Sequence, residues 1–181
     1  SDLDAKNSKD VSNTEVKRKT ISHKKKYSLT LANSKDGHPV RSGKKSYRFE
    51  VRLGDCGKDS GHDDCKKDRQ RTELQFKKHQ MGKKDHWYSA SIYLPEDYQS
   101  VAPVRTTFAQ LYEKGWKPIL MVTDRSGEWL EVGRMWSGEY VEMKKAIRIN
   151  DMRGKWTDVL INARYSKDCL LYTSDAADEF M

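Results

Sequence analysis

Between residues 46 and 53 apolar and polar side chains alternate without a break. Tyr47, Phe49, Val51 and Leu53 fall on one side and Ser46, Arg48, Glu50 and Arg52 on the other, the period of two of a half-buried strand. Alternation, or a run rich in β-branched and aromatic residues, returns at 27–32, 70–76, 86–94, 104–112, 118–123, 129–135, 140–149 and 156–165. Turn formers stand between these stretches: Asp36-Gly37, Pro95-Glu96-Asp97, Gly115-Trp116, Ser126-Gly127, Ser137-Gly138 and Arg153-Gly154. A helical period is missing, one turn near 96–100 aside, and so is any repeat of the propeller or solenoid kind. About nine strands at roughly even spacing predict an all-β fold, a β-sandwich or jelly roll.

The ends depart from this pattern. Residues 1–26 are rich in Lys, Asp, Ser and Asn and poor in large apolar side chains, which predicts a disordered leader or linker. Residues 27–168 are expected to form the β-domain. Residues 169–181 begin CLLYTSDAADE and break the strand pattern where another turn and strand are due. They read as a translated sequencing adapter, so the domain is expected to be incomplete at its C-terminus and Cys169 carries no weight. The chain starts at Ser1 without an apolar leader, so a signal peptide, if there was one, lies outside it. No apolar run reaches the length of a membrane span, and no membrane partner is expected.

Charge narrows the partners. The chain has 181 residues, 34% of them charged, and a net charge of +8. Its tail is acidic, so the β-domain is more basic still. A basic domain attracts polyanions, whether nucleic acid, anionic membrane or acidic polysaccharide, and charge alone does not choose among them. Cys56 and Cys65 flank a short loop with Gly57 and Gly61 inside it. A disulfide closing that loop is expected, and it places the protein outside the reducing cytosol, secreted or periplasmic. Two cysteines and His62 do not make the four-ligand set of a zinc site. Asp55, Asp59, Asp63 and Asp64 offer oxygens to calcium but lack a calcium-loop spacing, and Lys58, Lys66 and Lys67 balance them. No metal or cofactor is assigned.

Two strands hold residues with chemistry. In 70–76, Arg71, Glu73 and Gln75 share one face and Thr72, Leu74 and Phe76 the other. An arginine beside a carboxylate suits a grip on an anionic, hydroxyl-rich ligand, and equally suits a solvated ion pair. In 104–112, strict alternation places Val104, Thr106, Phe108, Gln110 and Tyr112 together. An amide next to a phenol suits β-elimination at a uronic acid. That reaction needs the carboxylate neutralised, a base for the proton beside it, and an acid for the leaving glycosidic oxygen. The bland alternative is an ordinary strand aromatic with a polar neighbour.

KSYRFEVRLGDC, DCKKDRQRTELQ, WYSASIYLPEDY, FAQLY and GKWTDVLINARYS follow one another in order over about residues 43–167. Together they resemble the heparin-lyase-I-like polysaccharide lyases, relatives of the alginate and glucuronan lyases with a β-jelly-roll fold. The resemblance implies a substrate-carboxylate arginine at Arg71 and a neutralising amide at Gln110. The next matching position is often histidine in that family and is Tyr112 here, which opens the identity of the base. A tyrosine the family carries on a late strand is expected to be missing, leaving His79 and His86 as substitutes. Arg48, Arg52, Arg69 and Lys144 would line a basic cleft with Glu73, and Trp87 or Trp116 would stack on sugar rings.

The expected function is therefore a polysaccharide lyase, a monomer acting on an acidic, uronate-containing glycan. One alternative is a non-catalytic carbohydrate-binding β-sandwich. Another is a nucleic-acid-binding β-domain, disfavoured by the expected disulfide and the lack of an RNA-binding signature.

Overall fold

The computed structural model describes residues 16–21, 25–59, 62–76, 85–112 and 117–164. The chain divides into two compact units, Ser1–Gln80 and Met81–Met181, so the expected β-domain at 27–168 is shared between them. The described residues are overwhelmingly strand, and the all-β expectation holds.

In the first unit, β1 (Val16–Ile21) pairs antiparallel with β6 (Thr72–Phe76). The expected leader thus contributes a strand: Val16, Thr20 and Ile21 are β-branched residues spaced among the bases, a composition that suits pairing. β2 (Leu29–Asn33) and β3 (Lys45–Phe49) form a second antiparallel pair. β4 (Lys58–Asp59) and β5 (His62–Asp63) make a small hairpin inside the cysteine loop.

The strand expected at 46–53 stops at Phe49 although the alternation runs on. Buried Asp55 explains it. Its carboxylate accepts from the Arg52 amide at 2.7 Å and from the Tyr27 hydroxyl at 2.7 and 2.9 Å. The chain then turns through Gly54, whose φ of 85° favours glycine. A buried carboxylate that captures the backbone amide takes the donor a strand partner would need.

The second unit is a sandwich. β8 (Thr106–Tyr112), β9 (Pro118–Asp124), β10 (Trp129–Trp136) and β11 (Glu139–Arg148) form one antiparallel sheet in the order β11-β10-β9-β8. β7 (Asp85–Tyr93) and β12 (Trp156–Arg164) form the other. Leu120 and Val122 of β9, Leu130 of β10, and Leu94, Ile149 and Met152 make the buried core. Ile92 of β7 and Val159 and Ile161 of β12 pack on it from the second sheet. Burying side chains of this size stabilises by roughly 1.5–3 kcal/mol each, which makes this layer the main hold on the unit.

The strand expected at 140–149 gives way at its end to one helical turn, α1 (Ile149–Met152). Ile149 and Met152 are both fully buried. Residues three apart share a helix face but would point to opposite faces of a strand, so the turn lets both enter the core. The β10–β11 hairpin turns on Ser137 and Gly138, with φ of 53° and 94°. Positive φ at both central positions is what a two-residue hairpin loop of matching twist requires. The turn expected near 96–100 forms without a helix.

Candidate active site

The four-stranded sheet has a core face and a second face, and the register assigns residues to each. Leu120 and Val122 lie in the core, so Met121 and Thr123 belong to the second face. Across the strands, Gln110, Met121, Gly133 and Met143 form one row, and Thr107, Thr123, Glu131 and Lys145 the next.

Strict alternation in β8 does not survive. The pairing steps from Thr107↔Thr123 to Ala109↔Val122, leaving Phe108 as an extra residue, a β-bulge. Phe108, Ala109 and Leu111 all pack on the core, so the expected face of Val104, Thr106, Phe108, Gln110 and Tyr112 is broken at Phe108. Gln110 and Tyr112 stay together. The second irregularity, between Leu111 and Tyr112, skips Ile119 on β9 and leaves β8 alternating. Both side chains therefore belong to the second face, with Tyr112 37% exposed.

That face brings together groups the sequence did not single out. Tyr140 pairs with Met135, and its ring lies over Gly133: a Cβ there would come within 2.2 Å of Tyr140 Cε1. Arg105 Nη1 donates to Tyr140 Oη at 3.1 Å. The Arg125 guanidinium sits 4.9 Å from the ring centroid, a cation–π distance. Tyr140 Oη is 3.8 Å from Met121 Sδ, next in register to Gln110. One row on, Thr123 Oγ1 and Glu131 Oε2 are buried without a hydrogen-bond partner, on residues 0% and 7% exposed. Buried polar atoms without partners are rare enough to call for an explanation, and a bound ligand is one. Two sequence signals pointed here: a glycine inside a strand marks a close approach, and Glu131 is a charge set between the apolar Leu130 and Val132.

Lys144 lies elsewhere. It pairs with Val132, which packs on the core side, and it lines a shallow cleft with Leu120, Arg134 and Glu142. Its ammonium is 3.9 Å from Glu142. The sheet thus separates Lys144 from Gln110 and Tyr112. Trp87 is exposed on β7, and half-buried His86 stacks at 6.5 Å from Tyr88. Trp116 and His79 fall outside the described residues.

The other expected residues belong to the first unit. Arg71 precedes β6 and donates Nε and Nη2 to Asp64 at 3.0 and 2.7 Å, and its Nη1 is 3.6 Å from Glu73. Arg48 and Arg52 both pair with Glu50, and Arg52, with Arg48 second, holds the Glu50 carboxyl below the usual carboxylate range. The Arg52 guanidinium also covers the Tyr27 ring at 3.8 Å. The Arg69 side chain is exposed, and its amide bonds the Asp64 carbonyl. Cys56 and Cys65 form the expected disulfide, Cα to Cα 5.0 Å.

The loop carboxylates face separate partners. Asp55 takes Tyr27 and the Arg52 amide, Asp63 takes Lys58 at 3.2 Å, and Asp64 takes Arg71. No group of metal-ligating side chains converges among the described residues. No helix among them is long and apolar enough to cross a membrane.

A family model described as polysaccharide lyase matches residues 14–169. A search of curated proteins and a search of solved structures each found no match.

Proposed function

The chain belongs to the polysaccharide lyase family, and on that premise we propose that it cleaves an acidic, uronate-containing glycan by β-elimination, in the manner of the heparin-lyase-I-like jelly-roll lyases. The observation that carries this reading is the shared face of Gln110 and Tyr112, kept through the bulge at Phe108.

In the reaction, the C–H bond next to the uronate carboxylate breaks, its electron pair becomes a carbon–carbon double bond, and the glycosidic C–O bond on the adjacent carbon breaks. Charge gathers on the carboxylate in between. Gln110 offers an amide N–H to it, which matters most when the charge is greatest. A phenol on the same face moves the proton. Arg125 and Lys145 give the face a positive field for a polyanion. Arg71 is assigned to holding the disulfide loop through Asp64. The disulfide supports secretion or a periplasmic location.

The test is the ultraviolet absorbance of unsaturated uronyl ends on alginate, glucuronan and heparin-type chains. The wild-type protein is expected to produce it on at least one of them. Gln110→Ala is expected to lower the rate by about 100- to 1,000-fold, the scale for losing one charge-stabilising donor. Binding of a uronate polymer without unsaturated ends would sink the proposal.

A further inference from the structure

We infer that Tyr140 is the base of the elimination and Tyr112 its acid, an assignment that rests on the reading just given. Both phenols serve the second face, yet their settings differ. Tyr140 has a guanidinium on its oxygen and another over its ring: Arg105 Nη1 at 3.1 Å from Oη and Arg125 at 4.9 Å from the centroid. The two contacts hold the oxygen and the ring in one place. The oxygen lies beside Met121, the register neighbour of Gln110, the residue whose amide would hold the carboxylate. Tyr112 stands two residues along β8, on the order of 7 Å from Gln110, and is exposed at the strand end. That position reaches the next sugar of a chain, where the leaving oxygen departs.

The ring of Tyr140 is fixed as a base must be. It lies over Gly133, where any side chain would strike it. Arg105 is a positioning residue: it grips the oxygen and touches no reacting atom.

Protons balance. The Tyr140 oxygen takes the proton next to the carboxylate, and the C–H pair forms the double bond. The glycosidic bond breaks with its pair going to the leaving oxygen, which takes the Tyr112 proton. Solvent then returns a proton to Tyr112 and removes one from Tyr140.

Phenylalanine variants separate the roles. Tyr140→Phe keeps the ring on Gly133 and removes only the hydroxyl, so its thermal midpoint is expected to match the wild type. Its rate on the polymer that the wild type cleaves is expected to fall by about 100- to 10,000-fold, the usual span for a general base. The second substrate is a uronic acid with dinitrophenoxide as leaving group, which departs without protonation. Tyr112→Phe is expected to fail on the polymer and recover on this substrate, while Tyr140→Phe fails on both. Arg105→Met is expected to lower kcat with KM little changed, and Arg105→Lys to restore part of the loss.

An active Tyr140→Phe protein overturns the assignment and leaves the lyase reading standing. Rescue of Tyr140→Phe by dinitrophenoxide overturns it too, because that residue would then be the acid. A wild-type protein that forms no unsaturated ends on any of the three polymers overturns both.

Discussion

Arg71 lays Nε and Nη2 on the carboxylate of Asp64, a residue only 1% exposed. Asp64 stands next to Cys65, and its amide bonds the Gly57 carbonyl. The pair therefore ties the strand end to the closed loop. Breaking a buried ion pair from one side leaves an uncompensated charge, at a cost of roughly 3–5 kcal/mol. Arg71→Ala should lose up to that much, because the buried Asp64 carboxylate loses its guanidinium. Urea unfolding of the first unit's signals measures it, and an unchanged midpoint would return Arg71 to the list of candidate catalytic residues.

Gly133→Ala tests the seat of Tyr140. The added methyl would lie 2.2 Å from Cε1 and 2.6 Å from Cδ1 of the ring. Leaving glycine gains about 0.5–1 kcal/mol of backbone entropy in a strand, and overpacking costs about 1–3 kcal/mol. Overpacking wins, so the thermal midpoint should drop and the ring should lift. Elimination should fall with it, since Tyr140 Oη leaves its place beside Met121.

Tyr98 gives the second unit an alkaline limit. Its hydroxyl donates to Asp124 Oδ2 at 3.0 Å. Burial pushes the phenol up to about 12, the Thr106 contact opposing and the Asp124 charge adding. The fold holds this proton more tightly than the unfolded chain, whose phenol titrates near 10.0. Its contribution is thus complete below pH 10 and is lost as pH climbs toward 12. Tyr98→Phe should flatten the alkaline limb of a stability–pH curve. A limb of unchanged slope would refute this.

Reducing the disulfide should loosen the first unit. For a loop closed between Cys56 and Cys65, separated by 9 positions, the chain-entropy estimate is about 2.7 kcal/mol. The Cys56→Ser, Cys65→Ser double variant is expected to unfold at correspondingly lower urea, and reductant should no longer shift its midpoint. Equal stability with and without reductant in the wild type would count against the loop's role.

What local chemistry dictates was legible in the sequence. The strands at 86–94, 104–112, 118–123, 129–135 and 156–165 form within a residue or two of the pattern, because side-chain alternation is a property of the strand itself. The same holds for Ser137-Gly138, whose backbone freedom selects the hairpin, and for the pairing of Cys56 with Cys65 across a short glycine-bearing loop. Gln110 and Tyr112, two apart on one strand, needed no neighbour to share a face.

Tertiary structure decided the rest. Phe108 bulges because the core takes three apolar residues of β8, Phe108, Ala109 and Leu111, where alternation offers fewer. Ile149 and Met152 turn helical to enter the same core, and Phe49 ends its strand because Asp55 captures the backbone. Lys144 and Lys145 are adjacent and chemically alike; alternation puts them on opposite faces, and only the register of β11 against β10 decides which of them shares the face of Gln110. That Tyr140, Thr123 and Glu131 share the face of Gln110 is a matter of register too. Residues far apart in the chain meet only when strands pair, and a shift of one residue would send each to the other face.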